Sequence, residues 1–171
     1  MAVKIRPVRP GDEVALHGLI CELAEHQGEP LAVAGTAQDL ARVLFEGSDS
    51  PSGSPALYGH VAELDGQIVG MALWFLNYST WRGRHGIYLE DLYVRPNCRG
   101  TGIGRSLLAV LARICIDRGF GRLELQVANW NTSAIDFYRG LQAFPMDEWT
   151  VYRLTGEALD ELGASAPAPS P

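Results

Sequence analysis

Lysine is almost absent from this chain: Lys4 stands alone beside thirteen arginines, a bias read here as coding preference and not as chemistry. Basic charge as a whole is scarce. Fourteen Lys and Arg face twenty Asp and Glu, for a net charge of −6 at pH 7 and a pI of about 5.1. Nucleic-acid binding needs clustered cations, so a nucleic-acid partner is not expected. The acidic balance is compatible with a cationic substrate. Cysteine is scarce too. Cys21, Cys98 and Cys115 are odd in number and lack metal spacing. Cys21 and Cys115 fall on helical faces as small core residues, whereas Cys98 lies beside a glycine-rich turn and is expected to be partly exposed. His17, His26, His60 and His85 are scattered without ligand spacing, so no metal is expected. No apolar run approaches the roughly 20 residues of a membrane helix. The N-terminal MAVKIRPVRPGDE also lacks the apolar centre of a signal peptide. The expectation is a cytoplasmic protein with no membrane partner.

The rest is ordinary for one globular domain: 47% hydrophobic, 20% charged, without internal repeats. Residues 3–8 read as a strand. Asp12 is placed to cap a helix running through Glu25, with Val14, Leu16, Leu19, Ile20 and Leu23 on its apolar face. Thr36 and Asp39 resemble a capping box opening a second helix over residues 37–45. GSDSPSGSP, residues 47–55, is a surface loop. Strands 57–64 and 67–75 flank Asp65-Gly66, a two-residue hairpin signal. A loop, residues 77–86, carries Trp81. A strand follows at 87–94, then a glycine-rich turn, a helix closing at Arg118-Gly119, and a strand at 123–127. The chain ends in a short helix at 134–139, a last strand at 149–154 and a terminal helix to about 162. Residues 163–171, GASAPAPSP, read as a disordered tail after a single domain of residues 1–162.

The stretch from Tyr88 to Leu111, YLEDLYVRPNCRGTGIGRSLLAVL, organises this layout. It reads strand, glycine turn, helix. Glycines let the backbone approach a ligand closely, and the first N–H groups of a helix point outward with positive partial charge. A strand feeding such a turn is a phosphate site. It is not a Walker A loop, which needs a lysine. It also fails the dinucleotide spacing, since Arg105 and Leu107 stand where the last glycine would fall. A nucleotide-binding regulatory domain is disfavoured on both counts.

Arg99-x-x-Gly102-x-Gly104 after Leu92-Tyr93-Val94 resembles the acetyl-coenzyme A loop of the GNAT family of N-acetyltransferases. A second stretch, VANWNTSAIDFYR at residues 127–139, carries Trp130-Asn131 and Phe137-Tyr138. Together with Ile5-Arg6-Pro7, Glu22-Leu23-Ala24, Trp81-x-Gly83 and Tyr88-Leu89-Glu90-Asp91, these make the chain similar to the diamine and polyamine acetyltransferase branch over nearly its whole length. The resemblance implies an α/β (α+β) fold: a mixed, mostly antiparallel sheet flanked by helices. It also implies acetyl-CoA as cofactor, a small-molecule amine as substrate and a homodimer.

The same resemblance implies site roles. Leu92, Tyr93 and Val94, the turn from Arg99 through Gly100, Thr101, Gly102, Ile103 and Gly104 to Arg105, and Asn131 and Tyr138 would meet the cofactor. Tyr138 would serve the departing sulfur. An alkylammonium has a pKa near 10.4, so a proton must leave before attack. Glu90 is the first candidate for that base and Asp91 the second, since neighbours on a strand face opposite sides. A backbone N–H near residues 92–94 would polarise the acetyl oxygen. His26, Gln27, Trp81, Glu90 and Asp91 are the substrate candidates. Polyamine enzymes carry Tyr-Glu where this chain has His26-Gln27, so a carboxylate for a distal ammonium is missing and short acceptors are expected. Gln142 replaces a glycine usual after the Tyr138 helix. A protein N-terminus or lysine as acceptor, and a non-catalytic acyl-CoA-binding module, are the alternatives.

Overall fold

The computed structural model describes residues 3–47 and 54–167; most of the loop expected at 47–55, and the end of the tail, lie outside them. The chain divides into two units, Met1–Gln126 and Val127–Pro171. Among the described residues no helix is long and apolar enough to cross a membrane, and no group of three or more His, Cys, Asp or Glu could hold a metal ion.

The first unit is one five-stranded sheet in the order β1-β2-β3-β4-β5. Its strands are β1 (Lys4–Pro7), β2 (Tyr58–Leu64), β3 (Gln67–Ser79), β4 (Arg84–Val94) and β5 (Leu123–Leu125). The first four pair antiparallel; β5, reached through a helix, pairs parallel to β4. The hairpin between β2 and β3 turns at Asp65 (φ 51°) and Gly66 (φ 79°), the two positive φ values that such a turn requires.

Cross-strand partners share a face, so the row Val61, Met71, Tyr93 looks one way. Helix α1 (Glu13–Gln27) covers that face with Leu16 and Leu19. It is joined by α2 (Ala37–Ala41) and the π-helical turn Arg42–Glu46, which adds Leu44. The opposite face packs against α3 (Ile103–Arg118), whose Ile103, Leu107, Leu108, Leu111 and Cys115 are buried. At about 25 cal/mol per Å², each such leucine contributes roughly 2 kcal/mol through burial.

Thr36 and Asp39 do form a capping box: the Thr36 hydroxyl oxygen accepts from the Asp39 N–H at 3.2 Å, and Asp39 accepts from the Thr36 N–H at 2.9 Å. Asp12 stands at the start of α1 but makes no cap through its side chain. Instead it accepts two hydrogen bonds from Arg6, at 2.6 and 3.0 Å, and one from the Arg9 N–H at 2.9 Å. The expected loop at 77–86 is mostly strand. Phe75 stacks on Tyr88 and Tyr78 meets His85 edge-on, so the hairpin zips further than its polar residues suggest. Cys98 is buried, at 7% exposure, and not partly exposed, because the 3-10 turn Pro96–Cys98 tucks it inward.

The second unit holds α4 (Thr132–Gly140) and α5 (Gly156–Ala164). The strand expected at 149–154 does not form. No strand pairs with that segment among the described residues, and Trp149, Val151, Tyr152 and Leu154 are more than half exposed. An extended segment without a ladder partner leaves its backbone groups to water and gains nothing from alternation.

Candidate active site

Two irregularities of β4 make the site in the first unit. β5 pairs only with Ile87, Tyr88 and Leu89. Beyond that point residues 90–94 keep β3 on one side. Among the described residues no strand pairs with them on the other, so their outward backbone groups face an open edge. At the same place the β3 ladder skips a residue: Trp74 pairs with Leu89 and Leu73 with Asp91, leaving Glu90 as a bulge. Bulges re-aim side chains and are common beside active sites.

The bulge overturns one expectation. In a regular strand Glu90 and Asp91 would face opposite sides. Here the register resets, so Asp91 lies opposite Leu73 on the α1 face, and alternation from Leu89 directs Glu90 to that face as well. Glu90 is exposed and Asp91 half-buried. Burial first, and then the charge of Glu90, push the Asp91 carboxyl up to about 6. Two carboxylates crowded on one face, one of them titrating near neutrality, suit the removal of a proton.

Four residues further on, β4 enters the turn. Arg99 folds back: its Nε donates to the Val94 carbonyl at 2.8 Å, and its guanidinium lies 5.4 Å over the Tyr93 ring. Gly100 (φ 76°) and Gly102 (φ 88°) adopt left-handed backbone, and a Cβ on either would meet nothing within 4 Å. Conformation, not crowding, demands glycine here, and the space beside the turn is open. Gly102 is the N-cap of α3 and offers no side chain to the first N–H groups; the first turn carries no acid and does carry Arg105. Unsatisfied N–H groups, a positive dipole end, an arginine and an open cradle fit a diphosphate.

Helix α1 crosses the sheet from β1, where Asp12 meets Arg6, to the end of β4, where Glu22 meets Arg95. Its last turn carries exposed His26 and Gln27 past that point. Trp81 is not beside the acids in this chain. It sits 89% exposed at the turn of the β3–β4 hairpin, and β4 runs about 20 Å from that end to Glu90. A cavity of about 460 Å³ between α1 and α2 is lined by none of the expected site residues.

In the second unit Asn131 caps α4, its Oδ1 accepting from the Ala134 N–H at 3.1 Å, which leaves its amide N–H groups unused by the cap. Tyr138 is half-buried, and burial pushes its hydroxyl up to about 12. It therefore keeps its proton at any physiological pH.

A family model described as the acetyltransferase (GNAT) family matches residues 23–143, which spans both the glycine turn and α4. The chain belongs to the GNAT acetyltransferase family. It is 36% identical over 173 residues to a thialysine N-epsilon-acetyltransferase of Bos taurus, covering 94% of this chain and 96% of the relative. It is 28% identical over 201 residues to an L-ornithine N5-acetyltransferase of Arabidopsis thaliana, covering 95% and 88%. Among solved structures, an integron cassette protein from the mobile metagenome of V. cholerae superposes with a TM-score of 0.78 at 28% identity, over 96% of this chain and 99% of that one. Membership in this GNAT family makes the chain an acetyltransferase, with the mixed sheet described above.

Sequence reasoning named Glu90 and Glu22 but missed what the fold does with each. The Glu90 bulge leaves no local mark. Glu22, which bonds Arg95, did leave one: it is an acid set among the apolar positions Leu16, Leu19 and Leu23.

Proposed function

We propose that the protein transfers the acetyl group of acetyl-CoA to the primary amine of a small molecule, an ornithine- or lysine-like amino acid or a short diamine. The observation that carries this reading is the acid pair Glu90/Asp91, on a bulge of β4, on the strand that runs straight into the open glycine turn. Relatives whose names specify thialysine and ornithine support the acceptor class.

When bound, acetyl-CoA supplies an activated acetyl thioester. The N–H groups of residues 100–105 would hold its diphosphate, with Arg99 and Arg105 adding charge. The open backbone edge of Leu92, Tyr93 and Val94 would face the acyl oxygen, where an N–H would stabilise the developing negative charge. The exposed Glu90 meets the ammonium directly or through water, and Asp91 raises the pair's affinity for the departing proton. By resemblance to the family, Tyr138, which keeps its proton, would protonate the leaving sulfur, and Asn131 would offer its amide to the cofactor. His26 and Gln27, on the last turn of α1, bound the distal end of the acceptor. A second ammonium there lacks a dedicated carboxylate, and burying it unpaired is costly. We also propose a homodimer, which the exposed Trp81 supports as a subunit contact against the amine site.

The test is acetyl-CoA turnover over ornithine, lysine, putrescine, spermidine and spermine, with CoA titration calorimetry alongside. Short acceptors are expected to lead in kcat/KM, and Gln27→Glu to move preference toward the longer amines. Gly102→Asp should abolish CoA binding. Best turnover with spermine, unchanged by Gln27→Glu, would refute the acceptor assignment; tight ATP or NAD binding without CoA binding would refute the whole reading.

A further inference from the structure

The glycine turn has few side chains to hold it in place. Gly100 and Gly102 contribute none, and the Thr101 hydroxyl donates to the Cys98 carbonyl, within the turn itself, at 2.7 Å. What ties the turn to the rest of the unit is a set of contacts at its entrance. Arg95 is the first residue after β4. Its N–H donates to the Val69 carbonyl at 2.9 Å, where β3 makes its own irregularity against β2. Its guanidinium grips Glu22 of α1: Nε lies 3.0 and 3.2 Å from the two carboxylate oxygens and Nη2 lies 2.9 Å from one. A planar fork on a planar carboxylate fixes direction as well as distance. Glu22 also acts on Tyr93. Burial first, and then the Glu22 charge, push that hydroxyl's pKa up. Tyr93 in turn carries the guanidinium of Arg99, the first residue of the turn proper. Glu22 is thus the common node for both ends of the strand-to-turn junction.

We infer that Glu22 and Arg95 are a positioning pair: they fix the glycine turn against α1 and so set how tightly the turn holds its diphosphate ligand. The inference rests on the acetyl-CoA reading above. Both side chains are about a third exposed, 35% for Arg95 and 33% for Glu22, so the pair contributes little to global stability. Its effect is geometric. The N–H groups of residues 100–105 bind diphosphate only when they converge, and they inherit their position from Arg95. α1 is a firm reference because its other end is held by the buried Arg6–Asp12 pair. Neither Glu22 nor Arg95 touches the reacting atoms, so chemistry after binding is left as it was.

The experiment compares the wild-type protein with Glu22→Gln, Arg95→Met and the double variant, measuring the Kd of CoA by calorimetry, KM for acetyl-CoA, kcat and Tm. Each single variant is expected to raise Kd and KM about tenfold, with kcat within about twofold. The double variant should be no worse than the weaker single, because the two side chains act as one unit. Arg113→Gln, which breaks an exposed pair on α3, is the control and should change nothing. Wild-type CoA binding with unchanged variants overturns this inference alone, as does a loss of affinity that merely follows Tm. A wild-type protein that does not bind CoA overturns the functional reading and this inference with it.

Discussion

Asp91 and Glu90 share a face because one residue of β4 has no counterpart on β3. The electrostatic consequence is testable. Asp91 is pushed up to about 6 by burial and then by Glu90. kcat/KM should therefore rise with pH to a plateau, with its midpoint near 6. Glu90→Gln removes one cause, so the midpoint should move down. Asp91→Asn should erase the limb and cost about 10² to 10⁴ in rate. A limb that stays put in both variants would acquit the pair. The same shift fixes a stability trend: a carboxyl raised in the folded state is better protonated there than in the unfolded chain. Ionisation of Asp91 thus opposes folding: stability falls as pH rises from the unfolded-state value of about 3.9, the loss is complete above about 6, and Asp91→Asn should have the higher Tm at pH 7. Gln142 is a second residue-scale case. α1, α3 and α4 all end with paired N–H bonds back onto the last turn around a left-handed residue: Gly28, Gly119 and Gln142 respectively. Gln142 has φ 65° and is exposed, so it makes the turn at a steric cost without packing in return. Gln142→Gly is expected to stabilise by about 1 kcal/mol, the left-handed cost less the entropy of glycine, whereas Gln142→Ala gains nothing. Thermal or urea unfolding of both variants decides it. The missing glycine was legible in the sequence; the bulge was not, because pairing creates it and no local residue pattern announces it.

Elements were legible where a local rule decides them. Asp65-Gly66 specified its hairpin, Thr36 and Asp39 their cap, and three glycines between a strand and a helix their turn. Elements were misread where tertiary partners decide. Residues 77–86 look like a loop by composition yet mostly form strand, because Tyr78 and His85 find each other across the hairpin. Residues 149–154 alternate like a strand yet find no ladder to join among the described residues. Asp12 looks like a cap and serves β1 instead. Its carboxylate and Arg6 are more than nine-tenths buried, and Glu63 takes the other side of the guanidinium at 2.8 Å. Arg6 holds the Asp12 carboxyl below its usual range. That stabilisation is complete above the unfolded-state pKa of about 3.9 and is lost as pH falls through the lower folded value. Asp12→Ala takes the main partner from a buried guanidinium, leaving Glu63 only its Nε side, and should cost about 3 kcal/mol at pH 7. Arg6→Met with Asp12→Leu, which removes both charges, should cost much less. Equal losses in the single and double variants, measured by urea unfolding, would mean that packing and not charge joins β1 to α1.

The whole molecule carries a surplus of six negative charges, and the proposed substrate is a cation. Composition made this visible at the outset, but not its bearing on the site, since only the fold shows that Glu90 and Asp91 stand beside an open strand edge. A net negative field concentrates cations and steers them toward acidic clefts. The range of that field depends on salt: the screening length is about 30 Å at 0.01 M and about 10 Å at 0.1 M. At low salt the charges of the entire chain reach the site, whereas at physiological salt only nearby ones do. Acceptors of different charge should separate accordingly. Putrescine carries two positive charges at neutral pH, and ornithine, a zwitterion with one extra ammonium, carries a net charge of one. Raising ionic strength from 0.01 to 0.2 M should raise KM for putrescine several-fold, raise KM for ornithine less, and leave kcat for both nearly unchanged, because the acid pair acts at contact distance where salt screens little. Steady-state kinetics at constant pH in sodium chloride would show it. Equal salt dependence for the two acceptors would mean that the molecule's net charge plays no part in bringing its substrate in, and that recognition is confined to the contacts around β4 and the end of α1.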